Sequence, residues 1–170
     1  MKVRHLTDAQ FGSIITAVDL ENLTNEQSKS IRSLWNERAL LIFPEAHLSK
    51  QGQDNFALLF GELEFPRTAI SNVGKNGYIH KEPDDDVVKV IRGNEGWHHD
   101  STYMPIQALG AVFSADIVPD IGGLTGWADM RAAYAALDIG MQEKVQSLSA
   151  YHSYYYSQGR DGYLPNEQND

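Results

Sequence analysis

Apolar residues occur in this chain only as short runs, and this limits its possible folds more than any other feature. Runs with helical spacing alternate with runs rich in β-branched residues, and Gly and Pro stand between them. No run approaches the roughly 18 residues of a membrane-spanning helix, and residues 1–5, MKVRH, hold no apolar signal core. The pattern predicts an α+β fold of short strands and irregular connections, in a soluble cytoplasmic protein.

Local signals place the individual elements. Thr24 followed by Gln27 is a capping box, which predicts a helix. Ser49 begins a second helix that we expect to end at Gly61. Two further short helices are predicted over 130–137 and 141–148. Strands are predicted over 11–18, 39–43, 87–91, 110–118 and 149–157. The stretch from 62 to 86 has no clear periodicity, and a connection of that length in a compact domain usually has a function.

Length, charge and cysteine content limit the functions that this chain can have. The 170 residues, 42% of them hydrophobic, suffice for a single domain over 1–170, with 159–170 as a polar loop or tail. Lys and Arg number 14 against 23 Asp and Glu, a net charge of −9, which argues against binding to nucleic acid or an anionic membrane. The absence of cysteine excludes a disulfide scaffold, a thiolate metal site and a thiol nucleophile.

Three titratable side chains stand together in the segment 96–103, GWHHDSTY. In an extended chain the side chains of residues i and i+2 point the same way, so His98 and Asp100 share one face and His99 takes the other. An imidazole and a carboxylate in one cavity are two of the three ligands of the 2-His-1-carboxylate triad that holds Fe(II). The alternative is a hydrogen-bonded His–Asp pair in a loop, and the tripeptide alone does not choose between them.

Motifs on both sides of this tripeptide resemble those of a known family. The segment 60–63 (FGEL) precedes it, and 122–134 (GGLTGWADMRAAY) follows about 25 residues later. Further matching segments are 11–20, 69–73 (AISNV), 99–105 (HDSTYMP), 110–115 (GAVFSA) and 154–158 (YYYSQ). From Phe11 to Gln158 the chain resembles the taurine dioxygenase/2,4-D dioxygenase (TauD/TfdA) family, and within it the aryloxyalkanoate branch.

That resemblance implies a fold, cofactors and site residues. Members of the family are oxygenases that use Fe(II), 2-oxoglutarate and O2 on a double-stranded β-helix (jelly-roll) core with flanking helices, a core that would be incomplete in this chain. His98 and Asp100 match the iron ligands of the family. Thr125 matches a threonine that binds a carboxylate of 2-oxoglutarate, although Leu124 replaces the acidic residue that usually precedes it. Asn94 matches an asparagine that lines the substrate pocket.

Several of these residues also have a structural interpretation. Thr125 would then be a turn or strand-edge residue, and Asn94 a turn former in the sequence RGNEG. Lys89 and Arg92 are candidate cations for a substrate that bears a carboxylate, and they fit equally well as solvated charges at the end of a strand.

The other histidines are expected to lie off the metal site. His99 should pack or hydrogen-bond beside the metal ligands, facing away from them. His152 is expected to be a pocket or core histidine among the tyrosines at 151 and 154–156, which line a pocket for an aromatic substrate or fill a core. Surface positions without a partner are expected for His5, His47 and His80.

The implied reaction hydroxylates a small organic acid, aryloxyalkanoate-like or sulfonate-like, while 2-oxoglutarate is converted to succinate and CO2. The family's third ligand, a histidine, and its 2-oxoglutarate-binding arginine come later in its chains. We therefore expect this chain to be the N-terminal part of a longer polypeptide, inactive alone, and its oligomeric state stays open. Two other hypotheses remain: a non-catalytic family member acting as a binding or assembly module, and a cupin-like metal enzyme with His152 as third ligand.

Overall fold

The computed structural model describes residues 1–6 and 11–160, which fall into two compact units. The first unit consists of Met1–Leu63 and Ala111–Leu148, and the second of Glu64–Gly110 and the segment that begins at Ser149. The described elements are β1 (Lys2–His5), β2 (Ser13–Thr16), α1 (Asn25–Arg38), β3 (Leu41–Ile42), α2 (Lys50–Leu58), α3 (Asp86–Gly93), α4 (Met130–Ala135), α5 (Ile139–Gln146) and α6 (Tyr154–Arg160). The protein is therefore a mixture of helix and sheet, as the sequence predicts.

The strands of the first unit form one sheet in the order β1-β2-β3. β1 and β2 are antiparallel, with Val3 opposite Ile15. β2 and β3 are parallel, with Ile14 opposite Ile42, and α1 provides the crossover that parallel neighbours require. The strands predicted over 11–18 and 39–43 are thus present in shorter form. This is the one sheet among the described residues, so the jelly-roll core stays a prediction.

The first two helices begin where the sequence predicts. The Thr24 hydroxyl accepts a hydrogen bond from the Gln27 N–H (3.2 Å), and the Gln27 side-chain oxygen accepts one from the Thr24 N–H (2.9 Å), which completes the capping box. The Ser49 hydroxyl accepts from the Gly52 N–H at 3.0 Å and so caps α2.

The predicted end of the second helix is wrong. α2 ends with Leu59 as its C-cap, in right-handed helical conformation, and not at Gly61. The Leu59 and Phe60 N–H groups bond to the Phe56 and Ala57 carbonyls, three residues back. This tightened last turn satisfies the terminal carbonyls, so no left-handed glycine is needed.

A small apolar core holds the first unit together. Its buried members are Ile15, Leu20, Ile31 and Phe56. Ile15 of β2 and Ile31 of α1 are 1% and 0% exposed, so these side chains lie wholly inside the core. The Phe56 ring of α2 packs edge-on against Phe43 and Phe60, with ring centroids 5.5 Å apart in each pair. Aromatic packing therefore fixes α2 to this core.

The carboxylate of Glu21 supports the start of α2. It accepts hydrogen bonds from the Ser49 hydroxyl (2.6 Å) and the Ser49 N–H (2.9 Å), and these bonds, the hydroxyl first, lower the pKa of Glu21. A Cβ at position 52 would collide with the same carboxylate, which explains the glycine there. Glu21 thus links the segment before α1 to the first turn of α2.

We predict that Glu21→Gln reduces stability at neutral pH but not in acid. A carboxyl whose pKa is lower in the folded state adds stability above its ordinary pKa of 4.5, and that stability is lost as the pH falls through the folded-state value. Urea denaturation between pH 7 and pH 3 should show the gap between variant and wild type closing below about pH 4.5. Glu62→Gln, a change of an exposed loop glutamate, controls for net charge. A difference in the free energy of unfolding that stays constant between pH 7 and pH 3 contradicts this role of Glu21.

Three predicted strands are wrong. Residues 87–91 belong to α3, because the Asp85 side chain caps a helix by accepting from the Val87 N–H at 2.9 Å. The apolar residues at 87, 88, 90 and 91 then lie on one helical face. Residues 110–118 have no regular structure, because no neighbouring strand among the described residues pairs with them. Residues 149–153 are irregular, and α6 begins at Tyr154.

The two other helix predictions and the irregular stretch are confirmed. Residues 159 and 160, predicted to begin a polar loop or tail, belong to α6, and 161–170 lie outside the described residues. The helices predicted over 130–137 and 141–148 are α4 and α5, and α5 begins two residues early because Asp138 caps it. The stretch from 62 to 85 is irregular apart from a single β-bridge between Val73 and Ile79. Within the part of the chain that the structure describes, no helix has the length and apolar character to cross a membrane.

Candidate metal centre

His98 and Asp100 are brought together directly after α3. Residues 97–99 have no regular structure, and Asp100 begins a turn. The Nε2 atom of His98 lies 3.0 Å from Oδ1 of Asp100, and the two side chains are 49% and 58% exposed. The two residues therefore present one nitrogen and one oxygen on the same side of the chain, as their spacing predicts.

The other ring nitrogen of His98 indicates what this pair can bind. Nδ1 lies 2.7 Å from the Gly96 carbonyl oxygen and donates its proton to it. With Nδ1 donating, Nε2 can face the carboxylate across either a second ring proton or a cation, so the contact is compatible with a His–Asp hydrogen bond and with a shared metal ion. Two ligand atoms each about 2.1 Å from one ion, at right angles, stand about 3.0 Å apart. The pair therefore fits two adjacent positions on a divalent metal.

The described residues supply only part of a metal site. Across residues 1–6 and 11–160, no three His, Cys, Asp or Glu side chains are grouped so that they could hold an ion. His99 does not join the pair: its Nδ1 lies 2.9 Å from the Asp100 carbonyl oxygen, and the side-chain nitrogen of Gln107 lies 2.8 Å from Nδ1 and 3.2 Å from Nε2. Its ring thus bonds to the backbone of the ligand turn, away from the Asp100 carboxylate.

The turn after Asp100 is strained. Ser101 has φ +59°, in the left-handed region, and it is the one buried residue among the described residues of the second unit, at 8% exposed. The Met104 N–H donates to the Ser101 carbonyl at 3.0 Å and closes the turn. The sequence gives no signal for this conformation, since glycine and asparagine are the residues that usually adopt it.

The residues proposed to face a substrate belong to α3 and its end. Asn94 is the exposed C-cap of α3, two residues before Gly96. Lys89 is half-buried, with Nζ 3.8 Å from Asp86, and Arg92 is exposed in the last turn. Both cations therefore lie on a helix rather than at the end of a strand.

Thr125 lies in the first unit, whereas His98, Asp100 and Asn94 lie in the second. It is exposed and stands in an irregular segment that leads into α4. Asp129 caps α4, and a hydrogen bond from the Arg131 guanidinium lowers the pKa of Asp129. Arg131 also donates to the carbonyls of residues 36 and 37 at the end of α1, each at 3.3 Å. These bonds fix the segment that follows Thr125 to α1.

The expectation for His152 is wrong. It is exposed and stands just before α6, because residues 149–153 do not form the strand whose alternation would have turned it inward. It also takes part in no metal-binding group within the described residues. The hypothesis of a cupin-like site with His152 as third ligand therefore has no support from the geometry.

Two of the histidines expected at the surface without a partner, His5 and His80, each have one. Nδ1 of His80 lies 2.7 Å from Oδ2 of Asp85, and this hydrogen bond lowers the pKa of Asp85. Nδ1 of His5 lies 2.9 Å from the buried Ser13 hydroxyl. The first contact is local, since His80 and Asp85 are five positions apart. His47 is exposed, as predicted.

The pair of His98 and Asp100 is the candidate metal-binding feature among the described residues. The chain belongs to the TauD/TfdA family: the family model described as taurine catabolism dioxygenase TauD, TfdA family, matches residues 2–170. The match spans both units and includes His98, Asp100, Asn94 and Thr125. The resemblance read from the sequence is thereby confirmed.

Individual relatives agree with the family. The chain is 51% identical to an (S)-phenoxypropionate/alpha-ketoglutarate-dioxygenase of Sphingobium herbicidovorans, over 92% of this chain and 55% of that protein. It is 33% identical to an alpha-ketoglutarate-dependent 2,4-dichlorophenoxyacetate dioxygenase of Cupriavidus pinatubonensis, over 84% and 55%. The crystal structure of AAD-2 with Mn(II) and N-oxalylglycine matches with a TM-score of 0.86 and 31% identity, over 98% of this chain and 62% of that one. The chain spans about half the length of the curated relatives it matches.

Proposed function

We propose that the protein containing this chain is an Fe(II)- and 2-oxoglutarate-dependent dioxygenase that hydroxylates a small organic acid, aryloxyalkanoate-like or sulfonate-like. The observation that carries the proposal is the pair formed by His98 Nε2 and Asp100 Oδ1, 3.0 Å apart, with the His98 tautomer held by Gly96. The relatives named as dioxygenases support an enzyme over a binding or assembly module. We further propose that both units belong to one jelly-roll domain.

The cofactor set follows from the same pair and from the relatives. His98 and Asp100 would hold Fe(II), and a third ligand would come from outside the described residues. The AAD-2 structure, which contains Mn(II) and N-oxalylglycine, supports a site for a divalent metal and a 2-oxo acid. When bound, Fe(II) with 2-oxoglutarate supplies the oxidation that converts O2 and a C–H bond into a hydroxyl group, with succinate and CO2 as the other products.

The chain's own residues bind and orient the reactants. The Gly96 carbonyl keeps the proton of His98 on Nδ1, so that Nε2 stays available to the metal. The Thr125 hydroxyl would donate a hydrogen bond to a carboxylate of 2-oxoglutarate. The Asn94 amide would donate to the acidic group of the substrate, with Lys89 or Arg92 as the neighbouring cation. By neutralising the negative charge of the substrate, these groups would select an organic acid.

The test is turnover by the intact protein with Fe(II), 2-oxoglutarate, O2 and one acid at a time. The acids are (S)- and (R)-phenoxypropionate, 2,4-dichlorophenoxyacetate, taurine and an alkyl sulfate. Succinate should form in step with loss of one of them, and for an aryloxyalkanoate a phenol should be released. Succinate formation that no acid in this set stimulates, together with no loss of any acid, contradicts the proposed substrate class.

Thr125→Val provides a prediction for the 2-oxoglutarate site. Removing the hydroxyl while keeping the shape removes one charge-assisted hydrogen bond, which is worth about 1.5–3 kcal/mol. We expect KM for 2-oxoglutarate to rise about 10-fold or more, with KM for the organic acid unchanged. Thr68→Val, which alters an exposed threonine hydroxyl bonded to the Pro66 carbonyl, is the comparison variant. Equal KM values for 2-oxoglutarate in Thr125→Val and wild type exclude this role.

A further inference from the structure

The backbone at Ser101 needs support from its surroundings. A residue with a Cβ in the left-handed region is strained and keeps that conformation only where neighbouring structure holds it. Ser101 adopts φ +59° directly after Asp100. The turn's own hydrogen bonds run from the Met104 N–H to Ser101 (3.0 Å) and from the Thr102 hydroxyl to His99 (3.3 Å). Relaxation of this turn would swing the Asp100 carboxylate away from His98.

Helix α6 contacts the chain on both sides of the two ligands. After them, the Tyr103 ring packs on the Tyr154 ring of α6, with centroids 5.5 Å apart and planes tilted by 50°. Before them, α6 packs against α3. A Cβ added at Gly96, whose carbonyl holds His98, would lie 3.4 Å from the Arg160 guanidinium. All these residues belong to the second unit, so one helix limits the movement of both ends of the ligand segment.

We propose that Tyr154 is a positioning residue: through its ring contact with Tyr103, it holds the strained turn at Ser101 so that the Asp100 carboxylate faces His98. The proposal rests on the proposed function, since it assumes that these two residues bind a metal. The effect of Tyr154 on the metal passes through its ring contact with Tyr103.

The test measures Mn(II) affinity of the intact protein, without substrate, by the loss of the free Mn(II) electron paramagnetic resonance signal. Tyr154→Ala should weaken binding about 10-fold, the lower end of the effect of residues that orient a metal ligand. Tyr154→Phe keeps the ring and should match wild type, as should Tyr156→Ala on the same helix, where the side chain is 75% exposed. Tyr154→Leu, which keeps apolar bulk, is measured alongside in case the alanine variant does not fold.

A second comparison tests the strain directly. Ser101→Gly removes the penalty for the left-handed backbone, so the turn no longer depends on support from α6. We expect Tyr154→Ala to weaken Mn(II) binding less than about threefold in the Ser101→Gly background, against about 10-fold in the natural one. Equal effects in the two backgrounds overturn the link between Tyr154 and the strained turn.

The outcomes separate this proposal from the proposed function. No Mn(II) binding by the wild-type protein contradicts both. If Tyr154→Ala and Tyr154→Leu bind Mn(II) with the same affinity as wild type, the metal site is supported and the positioning role of Tyr154 is overturned. A raised KM for the organic acid with unchanged Mn(II) affinity shows that the ring lines the substrate pocket, and it overturns the positioning role as well.

Discussion

Replacing His98 by Ala, or Asp100 by Ala, is expected to weaken Mn(II) binding to the intact protein by more than about 100-fold. Residues that merely orient a metal ligand change affinity by about 10- to 100-fold, so loss of a ligand should exceed that range. Fe(II)-dependent succinate formation should fall below detection in both variants. Mn(II) titration and succinate analysis of the same preparations check the two effects together.

Two controls make this result specific. His47→Ala removes an exposed histidine of the first unit and should bind Mn(II) as wild type does. Asp100→Asn keeps the size of the side chain but removes its charge. If the carboxylate is a ligand, this variant should lose as much Mn(II) affinity as Asp100→Ala. Mn(II) affinity within about threefold of wild type in His98→Ala would show that the pair is only a loop hydrogen bond.

Phe56→Ala is expected to lower the free energy of unfolding by about 3–5 kcal/mol, which is a large share of a typical domain's stability. The side chain is buried, and its ring packs on Phe43 and Phe60, so truncation removes apolar contacts and leaves a cavity. Urea denaturation at pH 7, followed by circular dichroism, gives the change from the midpoint and slope.

A neighbouring leucine on the same helix is the control for this variant. Leu58 is 52% exposed in α2, so Leu58→Ala changes an apolar residue of that helix without opening a cavity. Its effect should stay below about 1 kcal/mol. Similar losses in the two variants would mean that the core centred on Ile31 and Phe56 does not hold the first unit together.

Helix starts could be predicted because their signals are local. Thr24 with Gln27, and Ser49 with Gly52, bond within one turn, so short spacings in the sequence suffice. Strand predictions failed where the outcome depended on distant partners or on a cap that was not recognised. The β-branched run at 87–91 became a helix because Asp85 caps it, and 110–118 found no neighbouring strand among the described residues.

The same distinction applies to the candidate site. The contact between His98 and Asp100 follows from a spacing of two residues, and the structure has them 3.0 Å apart. The left-handed conformation of Ser101 could not be predicted, because no residue type there signals it. The packing of Tyr103 on Tyr154 could not be predicted either, because the two residues are 51 positions apart. The roles of Thr125 and Asn94 remain predictions that the resemblance supports.

Anomalous X-ray diffraction at the manganese edge, from crystals of the intact protein grown with Mn(II), tests the metal site most directly. We expect one peak in contact with Nε2 of His98 and Oδ1 of Asp100, at about 2.1 Å from each. The His98 Nδ1 should still donate to the Gly96 carbonyl. A manganese peak bound by other residues, with none in contact with His98 and Asp100, would contradict the proposed metal centre and with it the proposed function.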